Sequence, residues 1–287
     1  MQRAFATLGV MLFGLAGCIS NSSHNVTKPQ PERASEINLE IGIEHFRKGN
    51  LPQAKERIDR ALEQNSRNAK AHMAAGLLYD RLGEMRKADS HFERALTLEP
   101  KNSEIANNYA VFLCKNERYD RGEKFALQAA ANQLYATPEV AYVNAAGCAR
   151  ANKNTDRAEQ HYRKALSVQP RFGPALFALA EVELEQRNYL SARGFLQRYM
   201  EGARTSPASL WLGHRIELGL GNAAAADQYA QRLKNEFPQS AETRLLRGAA
   251  CRFNRRQKGC TWIHGSSRRS KRIASSPWAH RSTRRDT

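Results

Sequence analysis

The sequence predicts an all-α fold, a right-handed superhelical solenoid of about six two-helix repeats, and three observations predict it. A turn residue followed five positions later by a small residue recurs as Gly49 with Ala54, Gly83 with Ala88, Glu117 with Gly122, Lys153 with Ala158, Arg187 with Ala192 and Gly221 with Ala226, spaced 34, 34, 36, 34 and 34 residues apart. A period of this length marks a unit that buries its apolar face only by stacking on its neighbours. Around each turn the residues fall into two helical stretches, and three units close with proline, at Pro100, Pro170 and Pro238, a residue that cannot continue a helix. Finally, the stretch NNYAVFLCKNERY at 107–119 points Tyr109, Val111, Phe112 and Leu113 in nearly every direction around a helix. A surface helix has one apolar stripe; a helix with apolar residues all round is one contacted on three sides.

Taken in order, the repeats span 35–68, 69–102, 103–138 with two extra residues, 139–172, 173–206 and 207–240. The second, AHMAAGLLYDRLGEMRKADSHFERALTLEP, resembles the tetratricopeptide repeat, with Gly76, Tyr79, Gly83, Ala88, Phe92, Ala95, Leu96 and Pro100 in that family's positions. Small Gly76, Ala88 and Ala95 let the two helices approach, and Tyr79 and Phe92 fill the space beside them. The first, third, fifth and sixth repeats are degenerate, with Ser66 and Arg204 at proline positions and Ala126 and Ala230 at the aromatic one. In such a stack the first helices form the concave wall.

The two ends of the chain differ from this body. MQRAFATLGVMLFGLAGC has one cation at Arg3 and an apolar run of about a dozen residues, shorter than the roughly 20 that span a bilayer. Its last four residues, LAGC, resemble the lipobox of bacterial lipoproteins, which implies a signal peptide over 1–17, palmitate and diacylglycerol chains on Cys18, and, with Ile19 rather than aspartate next, an outer-membrane address on the periplasmic face. A plain secretory signal with a chance Cys18 is the alternative. Residues 18–34 read as the lipidated cysteine and a polar tether containing Pro29 and Pro31.

At the other end, 241–287 reads as the end of the last helix followed by a basic tail. The protein's net charge is +17, yet from Ala249 onward eleven Lys and Arg face one acid, Asp286, so the body is only mildly basic. Three readings of the tail stand: a basic arm binding nucleic acid or anionic headgroups, a disordered segment, and the product of a shifted reading frame.

The tetratricopeptide resemblance also implies which residues face the groove. Leu39, Ile43 and Phe46 in repeat one, Met73 and Leu77 in repeat two, and Asn107 and Val111 in repeat three make that wall mostly apolar, fitting an amphipathic helix or an apolar strand of a partner. A register shifted by one residue, or a tether covering the wall, would remove the inference. Glu36, Arg47, Lys70, Asp80, Arg81 and Lys115 read as a solvated rim. Asn108 and Asn144 either hydrogen-bond a bound peptide or are satisfied by a neighbouring helix.

Cys114 and Cys148 fall on first helices that pack side by side, and in an oxidising compartment neighbouring thiols pair. The expectation is a disulfide joining consecutive repeats; the alternative is two buried free thiols.

No phosphate loop, zinc-ligand spacing or nucleophile elbow occurs, and the eight histidines are scattered. No catalytic residue, metal ligand, cofactor or small-molecule substrate is expected. The lipobox, the repeats and the runs NNYAVFLCKNERYDRGEKF, FALAEVELEQRNYLSARGFLQRYM, SLWLGHRIELGLGN and YAQRLKNEFPQSAETRLL together resemble the PilF/PilW family of type IV pilus lipoproteins over residues 1 to about 246. What that resemblance implies is a pilotin, which binds the pilus secretin, brings it to the outer membrane and promotes its multimerisation, as pilus biogenesis and twitching motility require. Another periplasmic adaptor lipoprotein, for cell-wall hydrolases or outer-membrane assembly, and a nucleic-acid binder acting through the tail are the rivals.

Overall fold

The computed structural model describes residues 30–247. Twelve complete helices pair into six antiparallel hairpins: α1 (Pro31–Arg47) with α2 (Leu51–Gln64), α3 (Ala69–Leu82) with α4 (Met85–Leu98), α5 (Ser103–Lys115) with α6 (Tyr119–Ala130), α7 (Pro138–Ala151) with α8 (Thr155–Val168), α9 (Gly173–Glu185) with α10 (Tyr189–Gly202), and α11 (Pro207–Gly219) with α12 (Ala223–Glu236). A further helix, α13, begins at 241 and runs to the end of the described residues. The hairpins stack into an all-α repeat solenoid in which each first helix meets its own second helix and its neighbours in the stack.

All six hairpin turns share one backbone device. Gly49, Gly83 and Gly221 have φ of 78°, 79° and 73°, and Glu117, Lys153 and Arg187 adopt the same left-handed conformation at 62°, 61° and 63°. Side-chain caps then start several helices. Asn68 Oδ1 accepts from the Ala71 amide at 3.0 Å, and Asn102 Oδ1 from Glu104 and Ile105 at 3.0 and 3.2 Å. Ser206 and Ser209 close a reciprocal capping box on α11.

The small residue five positions after each turn is where the hairpin's helices touch. Ala54, Ala88, Ala158, Ala192 and Ala226 are fully buried there. Nearby, a methyl group on Gly76 would lie 2.9 Å from the Phe92 ring and one on Gly42 2.8 Å from Ile58, so these glycines are required by close approach.

Around α5 the apolar residues do face three ways. Tyr109 packs on Phe92 and Phe125 at centroid distances of 5.4 and 5.1 Å, Phe112 on Phe92 at 5.3 Å, and Leu113 is fully buried. The Tyr109 hydroxyl donates to Asp89 at 2.7 Å, and Arg118 grips the same carboxylate through both terminal nitrogens at 2.9 and 2.7 Å. Partial burial of Asp89 works against its ionisation, but Arg118 and Tyr109 outweigh that and hold its pKa below the ordinary value. Burial together with Asp89 pushes the Tyr109 pKa up.

In the C-terminal half, ion pairs tie successive repeats. Buried Glu183 of α9 accepts from Arg163 of α8 at 2.8 Å, and buried Glu217 of α11 from Arg193 Nε of α10 at 2.8 Å. A buried charge without a partner carries a large desolvation cost, so these arginines fix which faces can meet.

Three boundaries differ from the expectation. The tether ends at Gln30 and not at 34, because Pro31 takes the first helical position, where its missing N–H is no loss and its φ is already helical. Buried Ser35 then bonds the Ala61 carbonyl at 2.7 Å. The two extra residues of repeat three lengthen the 131–137 loop, which takes over the end of a shortened α6. Beyond Phe237 the chain does not finish α12; it turns and starts α13, whose Thr243 donates to the Phe237 carbonyl at 2.8 Å and whose Leu246 packs on Leu210, Ala230 and Leu233. The signal segment, Cys18, the rest of the tether and the tail from 248 onward lie outside the described residues.

Candidate functional site, the concave wall

The first helices α1, α3 and α5 bring the expected wall residues to one side of the stack, but at two depths. Leu39, Met73 and Asn107 are buried, at 5%, 8% and 8% exposure, so they belong to the wall's structure and not to its free surface. Ile43, Phe46, Leu77 and Val111 are half-buried. The difference follows from register. Position 5 of one repeat lies beneath position 6 of the next: Asn108 Nδ2 lies 3.3 Å from Met73 Sδ, and Asn144 Nδ2 donates to Asn107 Oδ1 at 2.9 Å.

Both asparagines therefore spend a donor on the preceding repeat. Their amide oxygens accept no side-chain or backbone hydrogen bond among the described residues, and both side chains are half-buried at the wall. Asn107 and Asn108 also line a cleft of about 580 Å³ whose far side is the 131–137 loop, with Asn132, Leu134 and Tyr135. Asn132 holds that loop by donating to Ser103 at 2.8 Å and accepting from the Leu134 amide at 3.0 Å, while Leu134 itself is 93% exposed. The two-residue insertion is visible in the sequence, whereas the cleft exists only where the 131–137 loop lies against the start of α5.

Charged residues of the wall pair along it. Lys115 of α5 reaches both Asp80 oxygens of α3 at 2.9 and 3.0 Å, and Arg150 of α7 bridges Glu181 and Glu185 of α9 at 2.8 and 2.6 Å. Asp80 and Lys115 are thus spacers between repeats as well as rim residues. The guanidinium of Arg150 is partly buried, yet the two carboxylates more than compensate and raise its pKa.

Cys114 of α5 and Cys148 of α7 are bonded to each other, with Cα atoms 5.4 Å apart. The Cys114 sulfur and the Ala110 carbonyl oxygen together account for the one departure among the small residues after the turns. At Gly122 a methyl group would collide with the Cys114 sulfur and sit 2.9 Å from the Ala110 carbonyl oxygen, so the alanine used elsewhere cannot be accommodated.

Among the described residues no group of three or more His, Cys, Asp or Glu side chains could hold a metal ion, and no helix is long and apolar enough to cross a membrane. What the wall offers chemically is apolar contact from Ile43, Phe46, Leu77 and Val111, with carboxamide acceptors beside it. That suits binding of a polypeptide.

Comparison with known proteins agrees with this architecture. Family models described as Tetratricopeptide repeat match residues 39–88, 91–124 and 144–207. The Type IV pilus assembly protein PilF of Pseudomonas aeruginosa is 26% identical over 239 residues, 83% of this chain and 95% of that protein. A solved structure of Pseudomonas aeruginosa PilF superposes with a TM-score of 0.68 at 24% identity, over 77% of this chain and all of that one. The crystal structure of PilW, described as a widely conserved type IV pilus biogenesis factor, has the same TM-score at 30% identity, over 74% of this chain and 97% of that one. Identity at this level across nearly the whole of a relative, in the same repeat architecture, decides the assignment: the chain belongs to the PilF/PilW family of tetratricopeptide-repeat proteins.

Proposed function

We propose that this protein is a lipid-anchored scaffold of the outer membrane, facing the periplasm, whose concave wall holds a segment of the type IV pilus secretin and promotes its multimerisation. The observation that carries this reading is the run of half-exposed apolar side chains Ile43, Phe46, Leu77 and Val111 across three successive first helices, in a family whose named relatives are type IV pilus assembly and biogenesis proteins. Apolar side chains left half open along a groove favour a partner that covers them. The protein acts by holding and placing another chain; it makes and breaks no bonds.

Leu77→Glu and Val111→Glu, each at a half-exposed site, are expected to leave helicity unchanged and to reduce heat-stable secretin multimers and surface pili. Secretin multimers at normal levels in both variants would sink the groove reading. Lipid attachment at Cys18 has its own check. In a Cys18→Ser strain the protein is expected to leave the outer-membrane fraction, and recovery of the variant there in normal amount would rule the anchor out. Each buried methylene of an acyl chain is worth about 0.8 kcal/mol of attachment, so three chains make release negligible.

A further inference from the structure

We propose that the outer face of α1, at the N-terminal end of the described stack, is a second docking surface, shaped for an amphipathic helix of a partner chain with an apolar stripe flanked by cations. This inference rests on Ile37 and Ile41, which lie on a different side of α1 from the groove residues Leu39 and Ile43, although its acidic edge adjoins the groove rim at Glu36.

Positions 3 and 7 of a first helix face the second helix of the preceding repeat. Inside the stack they are sealed, as Ile105 and Tyr109 of α5 show at 0% exposure. The same positions of α1 hold Ile37 and Ile41, 49% and 36% exposed, with no preceding repeat among the described residues. A terminal repeat normally turns a polar face outward, because its inter-repeat surface has nothing to cover it. Two isoleucines one turn apart keep here the packing character of an internal junction. At the other end of the stack α13 supplies the missing helix, with Thr243 and Leu246 buried.

Charge indicates what kind of helix fits. Beside the isoleucines runs an acidic stripe, Glu32, Glu36 and Glu40, in which no carboxylate has a cation within 4.0 Å among the described residues, whereas Glu44 on the next turn is paired with Lys48 at 3.1 Å. These three carboxylates, with Glu99, outnumber Arg67 and Lys70 around a cleft of about 520 Å³ that borders Leu39 and Ile43. The excess of carboxylates at this edge, on a chain of net positive charge, favours a cationic partner there. The occupant is a helix because the surface on offer is the one that receives a second helix at every internal junction, read through apolar residues three and four apart. An extended strand laid on side chains alone would leave its backbone groups unmet.

The test uses a fluorescein-labelled helical peptide of about 14 residues with a leucine stripe flanked by lysines, and a counterpart with glutamate for lysine. Anisotropy is measured against the full chain in detergent, with a micelle-only blank. The lysine peptide is expected to bind at least tenfold more tightly than the glutamate one. Ile37→Glu with Ile41→Glu, and separately Glu36→Lys with Glu40→Lys, are expected to weaken it at least tenfold while circular dichroism stays unchanged; Leu77→Glu is expected to leave it alone. Equal binding of both peptides, indifference to the α1 changes, or loss with Leu77→Glu would overturn the proposal. So would a dimer that the isoleucine changes convert to monomer, which makes a second copy the occupant, or tighter peptide binding after deletion of 19–29, which makes the chain's own tether the cover.

Discussion

Single residues explain where this stack departs from its own period. The bonded Cys114 sulfur, with the Ala110 carbonyl beside it, takes the room that an alanine methyl uses in the other hairpins, and Gly122 yields it. Gly122→Ala is therefore expected to lower stability by about 1–3 kcal/mol, the usual cost of overpacking, read as a fall in denaturant midpoint. In a background with both cysteines changed to alanine the same substitution should cost distinctly less, and an undiminished cost would show that the sulfur is not what excludes the methyl. Much of this was legible in the sequence: the glycine stood out in the alanine series, and both cysteines fell on adjacent helices. Their mutual cause was not legible, because the distance between a side chain on α6 and a bond between α5 and α7 exists only after the hairpins stack. The burial of Leu39, Met73 and Asn107 was hidden for the same reason. Position in a repeat tells which way a residue points, and only the neighbouring repeat tells how far it is covered.

At the scale of the helix pair, the second repeat carries a pH-dependent joint. His72 of α3 and His91 of α4 face each other through Nδ1 atoms 3.0 Å apart, and His72 Nε2 lies 3.1 Å from the Ser66 carbonyl. A carbonyl only accepts, so Nε2 of neutral His72 carries the hydrogen and its Nδ1 accepts from Nδ1–H of His91. Burial lowers both pKa values; Arg94 lowers that of His72 further against the opposing Ser66 carbonyl, and His72 lowers that of His91 against the opposing charge of Asp59. In the unfolded chain both imidazoles take up protons near 6.5, while the folded pair resists, so acidification favours unfolding. The melting temperature is expected to fall between pH 7.5 and 5, and less so in a His72→Gln, His91→Gln variant. An identical fall in both proteins would remove these histidines from the account. Asp89, held below the ordinary 3.8, adds stability that is lost only at lower pH. Helix identity itself was readable from the 34-residue period, since all six turns that it located have positive φ. The boundaries at Pro31 and 241 were less so. Pro29 and Pro31 look alike in a polar stretch, and α13 is announced only by the packing of Leu246.

For the whole molecule, the period implied a stack, and the structure shows that its junctions are not equivalent. The second junction combines aromatic packing of Phe92 on Tyr109 with the Arg118–Asp89 pair, the later ones use the Arg163–Glu183 and Arg193–Glu217 pairs, whose carboxylates are buried, and α6 lies against α7 far more extensively than α4 against α5. In a quasi-one-dimensional protein each junction contributes its own share of stability, so damage stays local. The concave wall and the open face of α1 sit in the half that follows the N-terminal segment, and the wall's apolar run ends at Val111, just before the covalent joint.

That joint has a mechanical consequence. A superhelix of repeats stretches like a coiled spring, each junction opening a little under load, but a sulfur–sulfur bond riveted across α5 and α7 makes the junction between the third and fourth coils inextensible. Tension applied between the two ends is thus shared by two separate springs, three coils on either side, and the spacing across the rivet stays constant while the rest lengthens.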